Sequence, residues 1–213
     1  MNLADEYRPR VWGDLVGQPK VRMTVDRLRA RRGLLGRAYM VTGKSGTGKT
    51  TIAELIAYEV ANPMFIEALP AGELTVAKLI EKECESRFRP LQGEGRVYVV
   101  NEFHRLTLAA VAQFLDILER IPRHAAWMFT STQDAKDWGE QSEDRAAFVS
   151  RCLRLPLTSQ GLAKAFAARL REIAAAEGLD GRPESAYVSL VNRCRGNFRE
   201  ALQAIEAGEM LST

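Results

Sequence analysis

Gly43-Lys44-Ser45-Gly46-Thr47-Gly48-Lys49-Thr50 is the stretch that decides the fold. It matches G-x-x-x-x-G-K-[ST] at every fixed position, and its surroundings make the match specific. An apolar run, Ala38-Tyr39-Met40-Val41-Thr42, leads into it. A helical pattern from Thr50 to Glu59 follows, with Ile52, Leu55 and Ile56 on one side. Glycines let consecutive backbone N–H groups turn inward around phosphate oxygens, and the following helix points its positive end at the same anion. In such a loop Lys49 is expected to reach the β- and γ-phosphates of ATP and the Thr50 hydroxyl to ligate Mg²⁺. Gly43, Ser45, Gly46, Thr47, Gly48 and Thr51 are expected to complete the cradle.

Outward from this loop, strands and helices alternate, the mark of a parallel α/β sheet with helices on both faces. Val21 to Arg32 reads as a basic helix, Met64 to Leu69 as a second strand and Thr75 to Arg87 as a helix. Val97-Tyr98-Val99-Val100 is a third strand, almost wholly β-branched or aromatic, as burial on both faces requires. Leu108 to Ile121 reads as a helix, Trp127 to Thr130 as a fourth strand, and Leu153 to Leu157 as a fifth. After Pro156 only helical spacing remains. Leu162, Phe166, Leu170 and Ile173 share one face, Phe198, Leu202 and Ile205 repeat the spacing, and Leu179 to Pro183 reads as a turn between them. The expected organisation is a nucleotide-binding α/β domain over residues 1–157 and a small helical lid of roughly three helices over 158–213.

Composition bounds the function classes. The 213 residues are 46% hydrophobic and 27% charged, with a net charge of +3, too small to demand a nucleic-acid partner. Cys84, Cys152 and Cys194 lie far apart and form no C-x-x-C pair, and with only His104 and His124 beside them a zinc site is not expected. The thiols read as reduced and the location as cytoplasmic. Met1 to Glu6 has no basic-then-apolar signal character, and no apolar run approaches the ~20 residues of a membrane helix, so no membrane partner is expected.

The acidic strand end that a phosphate-loop ATPase requires falls at Val97 to Glu102, which closes on Asn101-Glu102 where the usual pattern has Asp-Glu. Asn101 accepts hydrogen bonds from magnesium-bound water but brings no charge, so the metal should be held less tightly. Glu102 is placed to act as general base on the attacking water.

Tyr7-Arg8-Pro9-Arg10-Val11-Trp12-Gly13-Asp14-Leu15-Val16-Gly17-Gln18 resembles the opening of AAA+ clamp-loader subunits, both bacterial gamma/tau subunits and replication factor C. The resemblance implies that Tyr7, Arg8, Pro9 and Val16 contact the adenine. Further marks follow in the family's order through about residue 207. Trp127 to Thr132 resembles the sensor 1 strand, with Thr132 at its polar position. Ser150-Arg151-Cys152 matches the tripeptide whose arginine enters the neighbouring subunit's ATP site. Gly196 to Leu202 resembles the sensor 2 segment, which would put Arg199 on the γ-phosphate of its own subunit. A well-placed arginine is worth ~10³–10⁵ in phosphoryl-transfer rate. The implied partners are further AAA+ subunits in a homo- or hetero-oligomer, DNA, and a sliding clamp or other replication protein.

The sequence departs from the family in places. The collar domain and the zinc-binding cysteine insertion have no counterpart, so either the chain is a piece of a longer one or assembly rests on the ATPase modules. Gln133 to Phe148 is longer than the family's usual connection and charge-rich, and reads as a solvated insertion or else a contact loop. Arg105, the group Arg87, Arg89 and Arg96, and the helix arginines Arg22, Arg27, Arg29, Arg31 and Arg32 are candidate DNA contacts or plain solvated surface. Three functions stay open: a clamp-loader-type ATPase, a nucleotide-binding structural subunit with little hydrolysis, and another DNA-linked role such as helicase loading or target selection.

Overall fold

The computed structural model describes residues 2–91 and 95–212. In chain order the elements are α1 (Leu3–Glu6), α2 (Pro19–Arg31), β1 (Arg37–Thr42), α3 (Lys49–Val60), β2 (Ala61–Pro70), α4 (Val76–Ser86), β3 (Gly95–Asn101), α5 (Leu108–Glu119), β4 (Ala125–Ser131), α6 (Ala135–Gly139), α7 (Glu143–Ser150), β5 (Cys152–Pro156), α8 (Ala163–Ala176), α9 (Glu184–Arg193) and α10 (Phe198–Glu206). Among the described residues the strands form one parallel sheet in the order β2-β3-β4-β1-β5.

The period of two along each strand builds two cores from one sheet. Met40, Tyr98, Val100, Trp127 and Phe129 face one side, where they meet α4, α5, α6 and α7. Tyr39, Val41, Val97, Val99 and Met128 face the other, against α2 and α3. Aromatic packing stiffens the first side: Tyr98 stacks on Trp127 at 4.4 Å, and Phe114 meets Trp127, Phe129 and Phe148 edge-on. A third cluster lies within the C-terminal helices, from Phe166, Leu170, Tyr187, Leu190, Leu202 and Ile205. Leu3 of α1 is buried in that same cluster, and Tyr7 and Val16 pack against it. The N-terminal segment therefore leans on the last helices as well as on the sheet.

The elements start and stop for local reasons. Thr75, Thr107 and Asn197 cap α4, α5 and α10 by accepting the backbone N–H groups of Lys78, Ala110 and Glu200. Helix α5 ends at Glu119, not at Ile121 as its periodicity suggests, because Pro122 keeps the preceding residue out of the helical region. Strand β2 begins at Ala61, directly after α3, and runs past Pro63 because it is an edge strand, where a missing donor is tolerated.

The solvated insertion expected over Gln133 to Phe148 is not what forms. The segment folds into α6 and α7, with Trp138 and Phe148 fully buried. Asp134 and Ser142 cap the two helices. The charges cover the outer face while two aromatic anchors hold the inner one. Helix α1 was not evident in the sequence, being only four residues long.

Candidate functional site

The phosphate loop connects β1 to α3 at the C-terminal edge of the sheet. Gly46 and Gly48 hold positive φ, 71° and 93°. A Cβ on Gly46 would lie 1.8 Å from Asn197 Oδ1, so only glycine lets the cap of α10 come this close. The Phe198 N–H donates to the Gly46 carbonyl at 3.3 Å, which ties the loop to the C-terminal helices. Gln18 adds a second tie. Its Nε2 donates to the Thr158 carbonyl at 2.7 Å while its Oε1 accepts the Thr158 N–H at 3.1 Å. This buried amide thus clasps the segment between β5 and α8.

One cavity opens over this loop. Of the residues expected at a nucleotide site it is lined by Tyr7, Arg8, Pro9, Val16, Ser45, Gly46, Thr47, Gly48, Lys49, Thr50, Thr51, Glu102, Thr132 and Arg199. Gly43, Asn101 and Arg151 do not line it. Gly43 packs against Leu157, where a Cβ would come within 2.9 Å of that side chain. Asn101 turns to β4, and its Oδ1 accepts the Thr130 hydroxyl at 2.9 Å. Arg151 lies on the surface beyond α7, where it donates to the Ala147 carbonyl at 2.9 Å and pairs with Glu119. That guanidinium holds the Glu119 carboxyl below its ordinary value.

Sequence reasoning missed Phe166, Arg169, Phe198 and Leu202, which supply the C-terminal wall, and Ala4, Asp14 and Leu15 on the N-terminal side. The helical spacing of Phe166, Phe198 and Leu202 was visible, but it marks these residues only as apolar. That part of their surface faces a cavity depends on how the three helices dock.

The electrostatics of the cavity favour an anion. Arg8 is bound to Glu54 and Asp5, and Arg169 to Glu172. Lys49 and Arg199 make no salt bridge among the described residues. Lys49 is buried, and its Nζ donates to the Lys44 carbonyl at 2.9 Å. Burial lowers its pKa, Glu102 opposes that shift, and Arg199 adds to it. A desolvated ammonium beside a second cation, at the N-terminus of a 12-residue helix, is the arrangement a polyphosphate would neutralise. The Thr50 hydroxyl lines the same cavity and makes no hydrogen bond to protein among the described residues, which suits a metal ligand.

Glu102 sits at φ 59° and ψ 48°, a left-handed conformation that costs a non-glycine residue about 1–3 kcal/mol. The turn is held by Phe103, fully buried and edge-on to Trp138 at 5.0 Å, and by the Arg105 N–H donating to the Glu102 carbonyl at 2.9 Å. Among the arginines considered for DNA, Arg87 is paired with Glu83, Arg29 bridges Asp26 and Glu59, and Arg96 lies over Phe65 beside Glu85. Arg22, Arg27, Arg31, Arg32, Arg89 and Arg105 stay exposed.

A parallel sheet with a glycine loop at its carboxyl edge, Glu102 just past the end of β3 on the same edge and a helical wall across the cavity defines the phosphate-loop nucleotide-binding class. Residues 38–194 match the profile described as "AAA domain (dynein-related subfamily)", and the chain belongs to that family. It is similar to the DNA polymerase III subunit tau of Escherichia coli K12, at 27% identity over 97% of this chain and 35% of that protein. The tau/gamma subunit of Haemophilus influenzae is 26% identical over 97% of this chain and 33% of its own length. The chain thus spans about a third of these relatives. A solved structure of the Thermotoga maritima RuvB Holliday junction branch migration motor superposes with a TM-score of 0.73. It covers 94% of this chain and 64% of that one at 21% identity, which shows the shared fold.

Proposed function

We propose that the chain is an ATP-binding and ATP-hydrolysing module of clamp-loader type, with residues 1–157 as base and 158–213 as lid. The observation that carries this reading is the pair of cations, Lys49 and Arg199, that have no carboxylate partner among the described residues and face one cavity with Glu102. The loop N–H groups and Lys49 bind the β- and γ-phosphates. Tyr7, Pro9 and Val16 shelter the base against Phe166 and Leu202. Thr50 would hold Mg²⁺, which supplies charge neutralisation on the phosphate oxygens. Asn101 adds no charge to that site. Glu102 accepts a proton from water as the oxygen attacks the γ-phosphorus, and the bond to the β-bridging oxygen breaks to release ADP and phosphate. Arg199 and Thr132 contact the transferring group, and Arg151 acts on a neighbouring subunit's site. The similar proteins are DNA polymerase III subunits by name, and we therefore place the module in an oligomer acting on DNA beside a replication protein such as a sliding clamp.

A second reading has its own support. The Asn101 carbonyl is already engaged by Thr130, which leaves the metal weakly held and suits a subunit that binds ATP and turns it over poorly. Steady-state ATP hydrolysis over a range of protein concentrations, with and without primed DNA, separates the two. Turnover that rises with both and falls ~10²–10⁴-fold in Glu102→Gln, with nucleotide affinity kept, is the expected result. Tight ATP binding with turnover no higher than in Glu102→Gln would select the structural subunit.

A further inference from the structure

Glu102 has a neighbour that the nucleotide chemistry does not require. His104 Nε2 stands 3.5 Å from Glu102 Oε2, and its Nδ1 is 2.7 Å from Ser131 Oγ. Ser131 is fully buried, the last residue of β4, and its Oγ also accepts the Gln133 N–H at 2.9 Å. Among the described residues Nδ1 is the one acceptor within reach of the buried Ser131 hydroxyl proton, so the hydroxyl donates to Nδ1, which puts the ring's own proton on Nε2, toward the carboxylate. The opposite tautomer would face a bare lone pair to a carboxylate oxygen. Phe103, locked in the core between Glu102 and His104, anchors the turn that carries both, and Glu102 lines the cavity. Thr132, which lines the cavity, directly follows Ser131 in the chain.

We propose that His104 is a positioning residue. Its Nε2–H takes one oxygen of the Glu102 carboxylate and leaves the other free to accept a proton, and Ser131 sets its tautomer and ties it to the strand end beside Thr132. Contacts made at Thr132 are thereby passed to Glu102 through Ser131 and His104. This rests on reading Glu102 as the base that activates water. An imidazole here gives the carboxylate a fixed direction that a solvated glutamate in a strained turn lacks, which is the usual task of a group bonded behind a reacting one.

The test compares His104→Ala, His104→Gln, Ser131→Ala and Glu102→Gln for kcat, KM, affinity for a non-hydrolysable ATP analogue, and melting temperature. His104→Ala is expected to lower kcat ~10–100-fold with analogue affinity within ~3-fold. His104→Gln, whose amide N–H reaches the position of Nε2–H, restores most of it. His104→Ala placed on Glu102→Gln adds no further loss, because the two act as one unit. Wild-type kcat in His104→Ala beside an inactive Glu102→Gln would overturn the proposal alone, as would equal loss in the alanine and glutamine variants. Wild-type turnover in Glu102→Gln would overturn the reading of the base, and the proposal with it. The ¹⁵N shifts of the imidazoles give a readout independent of turnover, since the chain has only His104 and His124. The expected form carries its proton on Nε2 and mixes with the other tautomer in Ser131→Ala, whereas a proton on Nδ1 alone refutes the assignment.

Discussion

Lys49 is 8% exposed with no carboxylate bonded to it among the described residues, which costs the fold stability and reserves the charge for a ligand. Its folded pKa lies below the unfolded value of ~10.4, so the unfolded chain binds more protons between the two values and stability rises with pH across that window. The penalty is complete below the folded pKa and is relieved above it. Lys49→Met should therefore melt at or above the wild-type temperature at neutral pH, with the gain fading as pH approaches ~10.4, and should lose ATP affinity ~100-fold or more. Calorimetric melting and analogue titration check the two halves, and near-wild-type affinity would sink the reading of the loop. At this scale the loop was plain in the sequence because every fixed position carries a reason of its own. Gln18 stands in the sequence only as the end of a family opening; its clasp on Thr158, 140 residues on, depends on tertiary docking that no local pattern encodes.

Helices α6 and α7 show how a charge-rich segment hides a core element. Counting Asp, Glu, Lys and Arg over 133–148 suggests solvent, yet the aromatics Trp138 and Phe148 meet at 5.4 Å on the inner side. Arg145 covers Trp138 from outside at 5.1 Å. The indole Nε1 is buried without a partner among the described residues, so its ring matters here for volume and not for its donor. Trp138→Ala should cost about 3–5 kcal/mol, and Trp138→Phe below about 1.5 kcal/mol. Chemical denaturation reads both, and a small loss in the alanine variant would show that the segment is a surface graft after all. The strands were legible for the opposite reason: runs such as Val97 to Val100 are apolar on both faces, which only a sheet covered twice explains.

For the whole molecule, Arg151 is the residue least explained by its own chain. It is exposed, outside the cavity, and fastened to Glu119 and the α7 carbonyl of Ala147. If it serves a neighbouring site, Arg151→Ala should bind ATP normally and lose ~10³-fold in turnover. Mixing it with Glu102→Gln should recover activity, since some Arg151→Ala sites would then border an intact arginine. A mixture no more active than its parts would confine Arg151 to its surface pair. The tripeptide Ser150-Arg151-Cys152 suggested this role by resemblance alone, whereas the helical wall of the cavity was not open to inspection of local sequence, since it concerns surfaces that meet only after folding.

The burial of Leu3 among the last helices has a consequence for biosynthesis. Leu3 cannot reach its resting place until Ile205 has left the ribosome, and β1 waits likewise for β5. At ~5–20 residues per second the segment around Leu3 waits roughly 10–40 s for those partners. The segment around Leu3 is thus made well before the helices that secure it, which gives a ribosome-bound chaperone a long window on it.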